Sequence, residues 1–528
     1  MTTALSERQV SIQRQMGAYY TPSSAAEYMA DWVLRGDQDT ILEPSFGDGA
    51  FLRALKIVAA KRELQQMHVR GVELDEPAVG AAVSGQLIHE SEVVSGDFLA
   101  QPPHPVDAVI GNPPYVRLRH VDSAARSRAL AVAHDRLPSG MEPSGSIWMP
   151  FVIHASNFLR IGGRLAFVLP YELTYVRYAR PLWQFLGQNF SSLRVVRVFE
   201  RVFPDILQDV VLLFADGHGG RSSTVEFETY EAVADLALHR PATVSTLDVE
   251  RIVQGERDFV RALLAQELRD LLDRLAPITR PAAEVMKLRI GYVSGDKTFF
   301  HPSPETVKAY KLPRGVLRRA VTTTRSLRGR GLFTSHMPSY DTLFHPASKG
   351  GLSAAEADYV AEGARRGVAN RYKCKVRDPW YLVPGVLTPD LILSVFSSTP
   401  LLMVNDAGCV ASNSLLCGYL SKGSDPALIA ASWYTSLTLL ECELRVHSLG
   451  GGVMVMIPGE ASEVRIAMAS TSEHAVLIDQ RLKSGDIRGA YELGDEAVLR
   501  GGLALSDREV ELIRDGVDVL TRWRESAQ

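Results

Sequence analysis

Four short apolar runs within the first 115 residues each end in a polar or glycine-bearing tip, and this recurrence constrains the fold more than any other feature. They are Ile41-Leu-Glu-Pro-Ser-Phe-Gly-Asp-Gly49, Val69-Arg-Gly-Val-Glu-Leu-Asp75, Val93-Val-Ser-Gly-Asp-Phe98 and Asp107-Ala-Val-Ile-Gly-Asn-Pro-Pro-Tyr115. Short β-branched runs bounded by glycine, proline and acids read as buried strands. Helical stretches, such as Ala50 to Leu64, separate them. Strand, turn and helix in that order build a parallel α/β sheet, whose ligands bind outside the carboxyl ends of the strands.

The tips carry the chemistry. Gly47 and Gly49 permit a tight turn, but the spacing is not Gly-x-Gly-x-x-Gly and no Gly-Lys-Ser/Thr follows, so a phosphate cradle is disfavoured. Glu73, about 26 residues after Gly47, suits the hydroxyls of a ribose. Asp97 and Phe98 suit an adenine amino group and ring, although either acid could instead cap the helix that follows it. At the fourth tip, Asn112 offers a side-chain carbonyl. Pro113 offers a backbone carbonyl without an N–H, and Tyr115 a flat ring. Two acceptors and a ring suit a planar molecule with an exocyclic amino group; the plainer alternative is a strand-ending turn with a packed tyrosine.

Further strands are expected at Gly162–Pro170, Arg194–Phe199 and Val210–Phe214. Helices are expected at Ser23–Leu34 (capped by Thr21 or Ser23), Phe151–Leu159 and Ala179–Asn189, with a helical lead-in over residues 1–16. Beyond about residue 278 the alternation stops and short β-like runs mix with Gly and Pro. This places a catalytic domain at 1–240, a helical linker at 241–280 and a second, mixed α+β domain at 281–528.

The net charge of −4 argues against a polyanionic partner, but it is unevenly spread: Lys311 to Arg377 holds fourteen basic and four acidic side chains. Arg314, Arg318, Arg319, Arg325, Arg328, Arg330, Arg371, Lys373, Lys375 and Arg377, with Tyr372, Trp380 and Tyr381 interleaved, form a candidate nucleic-acid surface; the plainer alternative is a solvated face. The four cysteines (374, 409, 417, 442) have neither a metal-binding nor a disulfide spacing, and neither a signal peptide nor a membrane span is evident, so a cytoplasmic protein is expected.

The order Gly17-Ala-Tyr-Tyr-Thr-Pro22, Glu43-Pro-Ser-Phe-Gly-Asp-Gly49, Glu73, Asp97-Phe98 and Asn112-Pro-Pro-Tyr115 resembles the bacterial DNA amino-methyltransferases that use S-adenosylmethionine. Within these it is most similar to the N6-adenine methylases of type II restriction–modification systems, whose recognition domain follows the catalytic one. The likeness is close over residues 17–216. It implies a class I methyltransferase fold, Rossmann-like with a seven-stranded, mostly parallel sheet, followed by a DNA target-recognition domain. It implies cofactor contacts from Thr21, Glu43, Pro44, Ser45, Gly47, Gly49, Glu73, Asp97 and Phe98. It also implies a catalytic set of Asn112, Pro113, Pro114 and Tyr115, with Phe203 as a second ring on the extruded base. Ser45-Phe46 and Asp48 depart from the usual loop, and Asn rather than Ser at position 112 favours adenine over cytosine. Duplex DNA is the implied partner, with a separate cognate endonuclease and a monomeric state. Rival readings are a methylase of a protein glutamine or RNA, a non-catalytic DNA-binding subunit, and a fused restriction–modification enzyme.

Overall fold

The computed structural model describes residues 21–525 except 138–139, 143–144, 201–209, 256–257, 348–350 and 450–451, with side chains not described at 447–449. The lead-in at 1–16, Gly17–Tyr20, Phe203 and the glycine run at Gly450 lie outside the described residues. The chain divides into two compact units at Leu263/Leu264, the second running to Glu525.

The first unit is built on one sheet of nine strands: β1 Thr40–Glu43, β2 His68–Glu73, β3 Val93–Ser95, β4 Val106–Gly111, β5 Leu159–Pro170, β6 Phe190–Val198, β7 Val210–His218, β8 Thr224–Tyr230 and β9 Thr243–Asp248. Their order is β3-β2-β1-β4-β5-β7-β6-β8-β9. Strands β3, β2, β1, β4 and β5 are mutually parallel, and β7 runs antiparallel to both β5 and β6. The resemblance implies seven strands, and the sheet carries two more. β8 pairs in parallel with β6, and β9 antiparallel with β8. The expected linker at 241–280 is therefore corrected: β9 closes the edge of the first sheet, and helices follow it at Val249–Gln254, Asp258–Arg261 and Gln266–Leu275. The residues of β9 are mostly exposed, with Leu247 the buried exception, so an edge strand of this kind reads as polar linker sequence.

Continuous apolar runs mark the central strands because helices cover both faces. Leu165, Ala166, Phe167, Val168 and Leu169 of β5 have no exposed surface. One face packs on the helices Ser23–Val33 and Ala50–Lys61 through Ala26, Met29, Val33, Phe51, Leu55 and Val58.

The second unit has its own core, around Leu391, Leu393, Leu402, Leu416, Trp433 and Tyr434. Its largest sheet orders Lys287–Ile290, Leu415–Tyr419, Leu391–Ser394 and Leu402–Val404, all antiparallel. A smaller sheet joins Asp341–Phe344, Leu317–Val321 and Val410–Ala411. The four cysteines are buried free thiols of this unit. Among the described residues no helix is long and apolar enough to cross a membrane.

Candidate active site at the β1–β4 crevice

The winding of the sheet reverses between β1 and β4, which lie side by side with Ile41 opposite Ala108 and Leu42 opposite Val109. The chain leaves β1 towards β2 and leaves β4 towards β5, so a crevice opens beyond their carboxyl ends. The Glu43–Gly49 turn and the Asn112–Tyr115 turn both rise into it. Their closeness is direct: the Ser45 hydroxyl donates to the Asn112 carbonyl at 3.2 Å. A Cβ on Gly111 would stand 3.2 Å from Pro44 Cδ and 3.2 Å from Phe167 Cε1, which is why a residue without a side chain sits there.

The helix Ser23–Val33 starts at Pro22 with no side-chain cap, so the expected cap by Thr21 or Ser23 is corrected. Thr21, 7% exposed, instead accepts from Asn112 Nδ2 at 3.3 Å. With the amide nitrogen towards Thr21, Oδ1 is the end of the Asn112 amide left to accept. Pro113 is buried beside it, and Tyr115 is half-buried against the core that includes Ile110 and Ala166.

The glycine turn uses left-handed backbone at Gly47 (φ 51°) and Gly49 (φ 78°), conformations a side chain would strain. Glu73 braces it, accepting from Gly47 N–H at 2.8 Å through Oε2, while Oε1 accepts from Leu74 and Asp75 N–H at 2.8 and 2.9 Å. Beneath the turn, Glu43 is 1% exposed and its Oε2 has no hydrogen-bond partner among the described residues. Burial, reinforced by the negative charges of Asp48 and Glu73, pushes its carboxyl well above the usual carboxylate range. A buried acid with an unmatched oxygen beside a glycine turn fits a cationic ligand.

Asp97 realises the capping alternative. Its Oδ1 accepts from Leu99 N–H at 3.0 Å at the start of a single 3₁₀ turn, and its Oδ2 pairs with Arg128 at 2.7 Å. Phe98 is 2% exposed, in ring contact with Phe151, His154 and Phe158. The Phe98 ring, expected at the cofactor's adenine, therefore has almost no exposed surface to offer it. Leu74, next to Glu73 at the carboxyl end of β2, is 62% exposed. Its exposure depends on where β2 ends, which the surrounding residue types do not reveal.

The chain just beyond the Asn112–Tyr115 turn is held by residues that no motif marks. The Val116 carbonyl accepts from Ser146 Oγ and Ile147 N–H, both at 2.9 Å, and Leu118 N–H donates to the Gly145 carbonyl at 3.0 Å. Arg117 donates to Glu172 Oε2 at 2.7 Å and to Tyr178 Oη at 2.8 Å. Tyr178 and Trp148 Nε1 in turn donate to Glu172 Oε1, at 2.5 and 3.3 Å. Burial first, then the adjacent Glu172 charge, keeps the Tyr178 phenol protonated far above its ordinary range.

In the second unit the expected DNA-facing side chains are all exposed except Arg318 and Arg377, which are half-buried. Arg318 is bonded to Thr388, Arg319 lies over the Tyr340 ring, Arg371 pairs with Asp296, and Arg377 is bonded to the Val293 and Ser294 carbonyls. Those four have structural partners within the unit.

Two family models match the chain in succession: "N-6 DNA Methylase" over residues 5–177, and "Type II methyltransferase M.Eco57I, C-terminal domain" over residues 256–499. The type II methyltransferase M.AccI of Acinetobacter calcoaceticus is 20% identical over 421 residues, covering 75% of this chain and 74% of that one. M.HincII of Haemophilus influenzae is 26% identical over 210 residues, covering 37% of this chain and 36% of its own length. Among solved structures, the type IIL restriction–modification enzyme MmeI in complex with DNA is 12% identical with a TM-score of 0.55, covering 98% of this chain and 76% of that one, a likeness of fold. The first unit is thus similar to N6 DNA methylases and the second to the C-terminal domain of a type II methyltransferase.

Proposed function

We propose that the crevice transfers a methyl group from S-adenosylmethionine to N6 of an adenine rotated out of duplex DNA, at a specific sequence that a cognate endonuclease would otherwise cleave. One observation carries this reading: Asn112 is bonded on one side to Thr21 and on the other to Ser45 of the glycine turn, so an amino-group acceptor and a cofactor-type turn share one crevice.

Thr21, Glu43, Pro44, Ser45, Gly47, Gly49 and Glu73 would hold the cofactor, with Asp97 and Leu74 at its adenine. When bound, it supplies an electrophilic methyl on a sulfonium. Glu43 would meet its positive charge as a carboxylate, giving up the proton that burial otherwise retains. Asn112 Oδ1 and the Pro113 carbonyl would accept both N6 hydrogens, so that the nitrogen lone pair projects from the purine plane towards the methyl group. An adenine N6 needs this help because its lone pair is delocalised into the ring. Alignment and charge stabilisation then supply the acceleration, and no strong general base is required. Rotating the base out of the helix costs a few kcal/mol, and stacking on Tyr115 would offset about 1–3 kcal/mol of that. Phe203 is proposed as the second ring.

The exposed side chains of Arg314, Arg325, Arg328, Arg330, Lys373 and Lys375 would hold phosphates, with base-edge readout elsewhere in the second unit. Incubation of the chain with plasmid DNA and labelled S-adenosylmethionine, followed by sequencing of the modified bases, tests the reading. N6-methyladenine at one recurrent sequence supports it; label on protein or RNA but not DNA refutes it.

A further inference from the structure

The second unit carries one anchored, apolar-tipped turn that its fold does not explain. Residues 371–376 form a single helical turn, with Cys374 and Lys375 N–H both donating to the Arg371 carbonyl at 2.8 and 2.9 Å. Its two ends are tied down. Arg371 pairs with Asp296 at 2.9 Å, and Arg377 donates to the Ser294 and Val293 carbonyls at 2.8 and 2.7 Å. The middle is plugged by the fully buried Cys374, packed so closely that a Cβ on Gly295 would stand 3.0 Å from its sulfur. Gly295 has φ 90°, so glycine is required there on both counts.

What this turn projects is apolar. Tyr372 and Val376 are each 71% exposed, the two most exposed large hydrophobic side chains among the described residues of the second unit. Four residues apart on a helical turn, they share a face. Lys373 and Lys375 flank the ring, their ammonium groups 5.3 and 5.9 Å from its centroid. Scattered single exposures are ordinary, but a ring and a branched side chain held together on a pinned base are not. Positive charge beside a flat apolar tip complements a polyanion with stacked bases inside it.

We infer that the Tyr372–Val376 turn is a wedge pressed against the bases of duplex DNA, with Lys373 and Lys375 on the adjoining phosphates, an inference that rests on the DNA-methylating reading above. The wedge supplies affinity that salt does not screen, whereas the lysines supply the counterion-release part.

The test is fluorescence anisotropy of the full chain on a labelled duplex across a salt series. Because Tyr372 is exposed, Tyr372→Ala leaves the fold intact, as a matching thermal melt will verify. It is expected to weaken binding by about 5- to 100-fold at every salt concentration, with the salt slope unchanged. Tyr372→Trp, which keeps a flat ring, restores binding to within about threefold of the unsubstituted chain. Lys373→Glu with Lys375→Glu lowers the slope instead. A Tyr372→Ala affinity within twofold of the parent overturns the inference, as does a change in sedimentation rather than in DNA affinity, which would mark a self-association face. If the parent methylates plasmid DNA while Tyr372→Ala binds normally, the wedge alone fails. If the parent transfers no methyl group to DNA while Tyr372→Ala still loses duplex affinity, the methylation reading alone fails.

Discussion

Replacing Glu43 with Gln removes an acid whose neutral form burial favours, so it separates the cost of that acid from its use. With 1% exposure and an unmatched Oε2 next to Asp48 and Glu73, the Glu43 carboxyl is raised well above its unfolded value. The folded chain therefore binds more protons than the unfolded chain once pH exceeds the unfolded carboxyl value, and stability must fall as pH rises. The loss is about 1.4 kcal/mol for each pH unit over which the acid stays protonated in the folded chain only. Below the unfolded value both states are protonated and the term vanishes. Gln is isosteric and does not titrate. In urea melts without cofactor, Glu43→Gln should match the parent near pH 4 and become progressively more stable than it above about pH 5. S-adenosylmethionine should reverse the ranking, because its positive charge pairs with the ionised acid. Loss of that charge-assisted contact is worth about 1.5–3 kcal/mol, roughly a 10- to 150-fold weaker Kd in the variant. Parent affinity should also rise with pH as Glu43 releases its proton, and the variant should lack that dependence. A stability difference that is constant from about pH 4 to 8, or equal cofactor affinity in the two proteins, would refute the reasoning.

Three further variants probe the crevice and the basic surface. Asn112→Ala removes an acceptor and the bond to Thr21; by equilibrium dialysis it should bind cofactor within a few-fold of the parent, while single-turnover methylation falls by about 10²- to 10³-fold. Gly111→Ala drives a methyl group into Pro44 and Phe167 at 3.2 Å, and calorimetry should register about 1–3 kcal/mol of destabilisation together with reduced turnover. Charge reversal of Arg314, Arg325, Arg328 and Arg330 should flatten the salt dependence of duplex binding by roughly one unit of slope per lost phosphate contact; an unchanged slope would mean that the stretch is only a solvated face.

The composition of the strand tips makes the first unit legible. Apolar runs ending in Glu43 and Asn112 announce parallel strands because a strand covered on both faces has few residue types open to it, whereas those ending in Glu73 and Asp97, partly exposed, are marked by their β-branched residues and turn-forming tips. The crevice residues are legible for a related reason: left-handed backbone at Gly47 and Gly49, and a donor-free turn at Pro113, restrict residue choice locally. Outcomes decided by competition among distant partners required tertiary structure. By residue type Asp97 has equal claims as a cap and as a ligand, and only the structure shows that Leu99 N–H and Arg128 already engage its carboxylate. Phe98 could face a ligand or the core, and Phe151, His154 and Phe158 enclose it. The same holds for charge. Residue type alone makes every basic side chain between Arg314 and Arg377 equivalent. Contacts with Thr388, the Tyr340 ring, Asp296 and the Val293 and Ser294 carbonyls set Arg318, Arg319, Arg371 and Arg377 apart from the rest.

The sequence by itself therefore determined the parallel sheet and the residue types at its tips, because backbone geometry and two-sided burial act locally. Only the tertiary structure decided which polar group serves the fold and which is left for a ligand, because that depends on partners tens to hundreds of residues away, such as Thr21 and Ser45 meeting at Asn112.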